Sequence, residues 1–374
     1  MKALGAALVA AAAIVFALTS VLKHPTYTPD GIVYARFAAR DAGYTEVDAT
    51  LSARAFYAHT AMMRDPRYRS LIDLDPAVAF PRSKVFENRV LYPWIVGMAL
   101  PLSGFRALFL VNAAAYVVFG LALFWMLGAF RRDIFAVVLT VVVLALPLVR
   151  AAAASDLTDM LAMVWWVLAL GALLRLARGP SSTMLAVLAV SCVLLALTRP
   201  TPYLVVLPAL ALGIARAYWA PLLASLGGVA AYVIVAFDIR AYGISEQLRW
   251  IYDNRPAATN VPFSTWYREA LFGSVRYVVV ETVRLVIPLI AIAAAVYGLW
   301  HANTRAQMAV LAGAAIACVI AVPFNPVPFS FARVVLLPLI PVFCAIAQCA
   351  LNTAATVGKP VRPPVQAPAQ AMID

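Results

Sequence analysis

Residues 3–40, ALGAALVAAAAIVFALTSVLKHPTYTPDGIVYARFAAR, decide the fold. The uncharged run at 3–22 has the length that crosses a bilayer, about 20 residues. Directly beyond it, residues 26–40 place Asp30 in a Pro-Asp-Gly turn, with Tyr27, Tyr34, Arg36 and Arg40 nearby. Phenols and guanidinium groups are suited to hydrogen-bond sugars and phosphates. A membrane helix that delivers polar chemistry to one face is the expectation from this junction.

The rest of the 374 residues agrees: 64% are hydrophobic and 12% charged, about half the charge of a soluble domain. The apolar residues also fall into blocks near bilayer length, so the chain reads as an all-α polytopic membrane protein. Cys192, Cys318, Cys344 and Cys349 lie inside apolar blocks with no metal spacing. The net charge of +12 suits anionic headgroups or a phosphorylated lipid, and no nucleic-acid partner is expected. Lys2 gives the first block a short basic lead, as in a signal peptide. No clean small-residue cleavage site precedes Lys23, so a retained helix with its N-terminus in the cytoplasm is expected.

A long polar loop, 23–88, follows, rich in aromatics and punctuated by Pro25, Pro29, Pro66, Pro76 and Pro81. Helical offsets around Tyr34–Asp41 and Phe56–Met63 predict short amphipathic helices lying on the membrane surface. Next, RVLYPWIVGMALPLSG (Arg89–Gly104) is too short to span alone. Treated as re-entrant or surface-lying, it leaves Arg131, Arg132, Arg175, Arg178, Arg216, Arg305 and the Lys359–Arg362 segment on the cytoplasmic side. Ten spans result, at 3–22, 105–128, 134–149, 157–175, 183–198, 203–215, 219–237, 277–300, 306–323 and 331–350. Most of the 29 Lys and Arg and nearly all of the 17 Asp and Glu then fall outside or at the outer interface. The tail, 351–374, is Pro-, Ala- and Gln-rich and reads as a disordered cytoplasmic segment.

Several charged groups gather on that outer face. Arg150 and the turn Ser155-Asp156-Leu157-Thr158-Asp159 close the third span and open the fourth, and the two aspartates are spaced to share a helical face. Helix capping explains them as well as substrate binding does. Asp30 is equally open to a plain turn role or to N-capping a helix over 32–39. Arg199, in Leu-Thr-Arg-Pro-Thr-Pro, runs against the positive-inside trend and calls for an anion, a phosphate or Asp156. Arg89 and Tyr92, in Arg-Val-Leu-Tyr-Pro, stand in a similar position. Glu281 and Arg284 read as an internal ion pair. Asp73 and Asp75 form an Asp-x-Asp pair that could hold a divalent metal, but the pattern is short and weak, and no cofactor is expected. Phosphate loops, dinucleotide fingerprints and the Gly-x-Ser-x-Gly nucleophile motif are missing, which speaks against nucleotide-driven transport and soluble-type hydrolysis.

In the order of these features the chain resembles the GT-C superfamily, membrane glycosyltransferases that use polyprenyl-phosphate-linked sugars. The likeness rests on Tyr27–Arg36 (Y-x-x-D-G-x-x-x-Y-x-R), Arg89–Pro93 (R-V-L-Y-P), Ser155–Asp159 and Leu197–Thr201 (L-T-R-P-T), within about residues 1–215. A largely uncharacterised bacterial group is the nearest in pattern. Its first motif has Gln where this chain has Ile32, and its later acidic position is more often Glu than Asp159. The resemblance implies a catalytic module over 1–215 with a first outer loop at 23–104. Further helices over 216–350, with a second outer loop at 238–276, would complete the chain. It also implies Asp30 as the base of an inverting transfer at the periplasmic face of a bacterial inner membrane. The donor would be a polyprenyl-phosphate sugar, the acceptor a hydroxyl of a glycan, lipid or protein. On physical grounds, Arg36, Arg89, Arg150 and Arg199 would surround the donor phosphate, with Tyr34, Tyr92, Asp156 and Asp159 lining the site. A lipid-linked-sugar flippase, an O-antigen polymerase or ligase, and a non-catalytic envelope scaffold are the alternatives.

Overall fold

The computed structural model describes residues 2–60, 86–130, 134–199, 201, 203–238, 252, 261–284, 305–324 and 337–357. Among these the chain is helical throughout, with a single isolated bridge between Thr26 and Ser155. Helix α1 (Lys2–Phe16) widens into a π turn at Ala17–Val21, where Thr19 Oγ1 donates back to Val15 O at 2.8 Å.

Helix α2 (Pro29–Asp41) starts on a clear local signal. Thr28 is extended, accepts from the Gly31 N–H at 3.1 Å, and is followed by proline at the first helical position. Proline there forfeits no intrahelical bond and presets φ. Helix α3 (Glu46–Tyr57) repeats the device with Thr45, which accepts from the Asp48 N–H. Buried Ala49, Ala53 and Tyr57 form one stripe of α3, which ends where the expected helix over Phe56–Met63 begins; positions 61–63 lie outside the described residues. The helix expected around Tyr34–Asp41 is present within α2, but every residue from Gly31 to Ala39 is buried. Helix α2 is enclosed because α3 covers one side and α4 (Leu91–Ser103) the other. Gly97 of α4 allows that approach, since a Cβ there would stand 2.8 Å from Ala38 O.

Helix α4 passes through one 3-10 turn, Gly104–Arg106, into α5 (Ala107–Leu127), forming a single helical stretch of 37 residues. Arg89–Gly104, expected to be re-entrant or surface-lying, is helical from Leu91 to Ser103 and joined directly to α5. At about 1.5 Å per residue the stretch exceeds a hydrocarbon core of about 30 Å, so only part of it fits within one.

Helix α6 (Ile134–Ala145) meets α7 (Pro147–Ala154) at a bend of 60°. Pro147 supplies no N–H and pushes Leu146 out of helical geometry, to ψ 132,. At the break, Leu144 O accepts from the Tyr116 hydroxyl at 2.5 Å. Among the described residues the remaining helices are α8 (Asp159–Leu176), α9 (Ser182–Thr198), α10 (Tyr203–Arg216), α11 (Ala220–Asp238), α12 (Phe263–Arg284), α13 (Arg305–Phe324) and α14 (Leu337–Val357). Helix α14 runs past the expected start of the tail to Val357; the rest of the tail lies outside the described residues.

Among the described residues three stretches are long and apolar enough to cross a membrane: Leu91–Leu127, Asp159–Leu176 and Ala220–Phe237. The bent pair α6–α7 makes a fourth. Shorter apolar helices occupy Ala3–Thr19, Ser182–Thr198, Leu204–Arg216, Arg305–Cys318 and Leu337–Cys349. A membrane protein is what this pattern supports. Helix α8 is the inner post: 83% of its apolar window is buried, against 17% for α11, which leaves Leu223, Ile234 and Phe237 exposed. Around α8 pack α5, α9, α10, α13 and α14, and Trp166 donates its indole N–H to Pro338 O at 3.0 Å. Arg175, in its last turn, stacks on Trp125 at 3.7 Å and donates to Trp125 O.

Candidate functional site

The segment after α1 lies alongside the α7–α8 turn. Thr26 N–H donates to Ala154 O at 2.8 Å, and two residues later Asp156 takes over. Thr28 N–H lies 3.1 Å from both carboxylate oxygens of Asp156, and the Thr28 hydroxyl donates to Oδ1 at 2.6 Å. Tyr57, at the end of α3, donates to Oδ2 at 2.5 Å. The Asp156 side chain is fully buried. Burial pushes its carboxyl up to about 6, and the bonds from Thr28 and Tyr57 oppose that rise,. The Tyr57 phenol is pushed well above its ordinary range by burial and by the negative charge of Asp156.

Asp30 occupies the first turn of α2, one residue before Gly31, and Gly31 abuts the Asp156 carboxylate. Thus two predicted site residues from distant parts of the chain meet at one junction. They differ in access. Asp156 and Asp159 are 0% and 1% exposed, whereas Asp30 is half-buried. Of these three carboxylates, Asp30 is the one with surface left to meet a solute.

Tyr34, Arg89 and Tyr92 extend the junction inward. The Arg89 guanidinium donates to the Tyr34 hydroxyl and lies 5.0 Å from the Phe86 ring centroid. Tyr34 and Tyr92 meet edge to face at 5.7 Å, and both are fully buried. Tyr92 donates to Leu108 O at 3.0 Å and accepts from Asn112 at 3.2 Å. Asn112 also donates to Ser155 O and Leu157 O, at 2.5 and 2.9 Å, and so pins the turn that carries Asp156.

The expected shared helical face of Asp156 and Asp159 does not form, because α8 begins only at Asp159 and Asp156 sits in the turn before it. The two point to different partners. Arg199, at the end of α9, pairs with Asp159 rather than with Asp156. That pair lines a cleft with Met163, Trp166, Leu204 and Leu337. Arg36 is buried and paired with Glu46 at 3.2 Å, so it braces α2 against α3. Arg150 ends up half-buried, its guanidinium 6.0 Å from the Phe16 ring centroid.

Among the described residues no group of three His, Cys, Asp or Glu side chains gathers as a metal site would require. Asp73, Asp75, Arg131 and Arg132 lie outside the described residues, as do the side chains of Glu281 and Arg284. Thr28, Gly31, Tyr57 and Asn112 were not singled out by the sequence reading. Only Thr28 had a local signal, a Thr-Pro pair opening a helix. Comparison with protein-family models and with curated proteins gives no match.

Proposed function

We propose that this chain is a membrane glycosyltransferase of GT-C type, moving a sugar from a polyprenyl-phosphate donor to an acceptor hydroxyl at the outer face of a bacterial inner membrane. In this reading the chain crosses ten times, with α2 and α3 on the outer side. The supporting observation is the difference in access at the junction. Asp30 keeps exposed surface at a helix N-terminus, while Asp156 and Asp159 are buried.

Asp30 accepts the proton of the acceptor hydroxyl as that oxygen bonds to the sugar's anomeric carbon. The bond from that carbon to the phosphate oxygen breaks, and polyprenyl phosphate leaves with the electron pair. A leaving phosphate needs cations, and Arg89, Arg150 and Arg199 are the groups assigned to it. Arg36 is assigned a bracing role instead, given its bond to Glu46. The test is incubation of the purified protein with a panel of polyprenyl-phosphate sugars and an acceptor mixture. Released polyprenyl phosphate is the expected product. Movement of labelled lipid across a bilayer with no glycosidic bond formed would replace this reading with a flippase.

A further inference from the structure

The first turn of α2, which carries Asp30, is fastened through the residues on either side of it, Thr28 and Gly31. Thr28 both donates to Asp156, through its N–H and its hydroxyl, and accepts the Gly31 N–H at 3.1 Å. The second oxygen of Asp156 is held by Tyr57, so α3 joins the same point. Gly31 lacks the Cβ that would otherwise displace the carboxylate. Tyr27, on the strap before α2, is wedged edge-on between Tyr57 at 5.6 Å and Phe109 at 5.1 Å.

From this geometry we infer that Asp156 is a positioning residue for Asp30, acting through a latch made with Thr28, Gly31 and Tyr57. This rests on the glycosyl-transfer reading for its consequence, but the latch itself does not. A simple tie between loop and bundle would be met by one neutral bond. Here a buried charge receives every donor that Thr28 has, plus a phenol, and charge-assisted bonds are the shorter and stiffer kind. Stiffness matters at this spot because a base must hold its proton acceptor within hydrogen-bond reach of the attacking hydroxyl. Asp156, being sealed, touches no substrate; its effect on transfer is through where Asp30 sits.

The test compares the full-length protein with Thr28→Val, Thr28→Ser and Tyr57→Phe in one detergent. Amide exchange over residues 30–33 reads the latch, and transfer kinetics read its consequence. Thr28→Val keeps shape but loses the hydroxyl, so exchange there should quicken about fivefold or more, the size of a lost N-cap. Its kcat should fall about tenfold with donor KM little changed, as for lost transition-state placement. Thr28→Ser, which keeps the hydroxyl, should restore both. Tyr57→Phe should quicken exchange in the same residues, and it serves if Thr28→Val folds poorly. Unchanged exchange in both Thr28→Val and Tyr57→Phe overturns the latch. Faster exchange with an unchanged kcat overturns the positioning role and leaves only a structural tie. A wild-type protein that transfers no sugar, with exchange quickened as expected, sinks the glycosyl-transfer reading while the latch stands.

Discussion

The Asp156 carboxylate lies against the α-carbon of Gly31, in the volume that a methyl group on that carbon would fill. Two chain segments more than a hundred residues apart thereby come into contact through the one residue type small enough to allow it. Gly31→Ala must displace either the carboxylate or the start of α2. Overpacking of this kind costs about 1–3 kcal/mol, so a lower thermal midpoint in detergent is expected. Adding Asp156→Ala should recover part of the loss, because the clash disappears with the carboxylate. Strictly additive losses in the double variant would mean that the two residues do not meet.

Asp156 also sets a pH dependence. Its carboxyl is pushed up to about 6 by burial, so the folded protein holds that proton more tightly than the unfolded chain does. The resulting stabilisation is full below the ordinary carboxylate range and is lost as pH rises through about 6,. Wild-type protein should therefore melt lower at pH 7 than at pH 5, relative to Asp156→Asn. Matched melting differences in the two proteins would show that Asp156 does not titrate in this window.

The Asp159–Arg199 pair gives a third prediction. Removing one member of a buried pair strands the other charge, at a cost of about 3–5 kcal/mol. Arg199→Ala and Asp159→Ala should each destabilise, and the double variant should lose less than their sum. Arg199→Lys keeps the charge but loses the planar fork, so donor binding should weaken in the glycosyl-transfer reading. Unaltered donor affinity in Arg199→Ala would remove Arg199 from the phosphate site and leave it a purely structural partner of Asp159.

In the proposed arrangement, sidedness is read from the arginine distribution. A single cysteine replacing Arg131 should be labelled only from the cytoplasm, and one replacing Arg150 only from outside. Labelling of position 131 from outside would overturn the ten-crossing arrangement.

Much of this architecture is legible in the sequence because apolar length is a strong signal. The apolar segments at 105–128, 157–175, 183–198, 203–215 and 219–237 coincide closely with the helices α5, α8, α9, α10 and α11, of which α5, α8 and α11 lie in stretches long and apolar enough to cross a membrane. Local chemistry misled where two readings compete for the same residues. Asp30 looks like an N-cap because it precedes Gly31, yet Thr28 and Pro29 start the helix earlier. The Asp156–Asp159 spacing fits a helical face, but the turn is pulled open by Thr26, Thr28 and Asn112. Those partners come from elsewhere in the chain, and periodicity within one segment carries no trace of them. For the same reason Tyr57, at the end of an ordinary amphipathic stripe, gave no hint of its bond to Asp156.

Turnover of Asp30→Asn is the most direct test of the proposed role of Asp30 as the base. Asparagine nearly matches the shape of aspartate and cannot take the acceptor's proton, so folding and donor binding should persist. The measurement is the rate of polyprenyl phosphate release from the donor that the wild-type protein uses, at saturating donor and acceptor. A loss of about 10²–10⁴-fold is expected, the usual contribution of a general base. An Asp30→Asn protein that keeps more than roughly a tenth of wild-type turnover, a difference of only about 1.4 kcal/mol, would contradict the assignment.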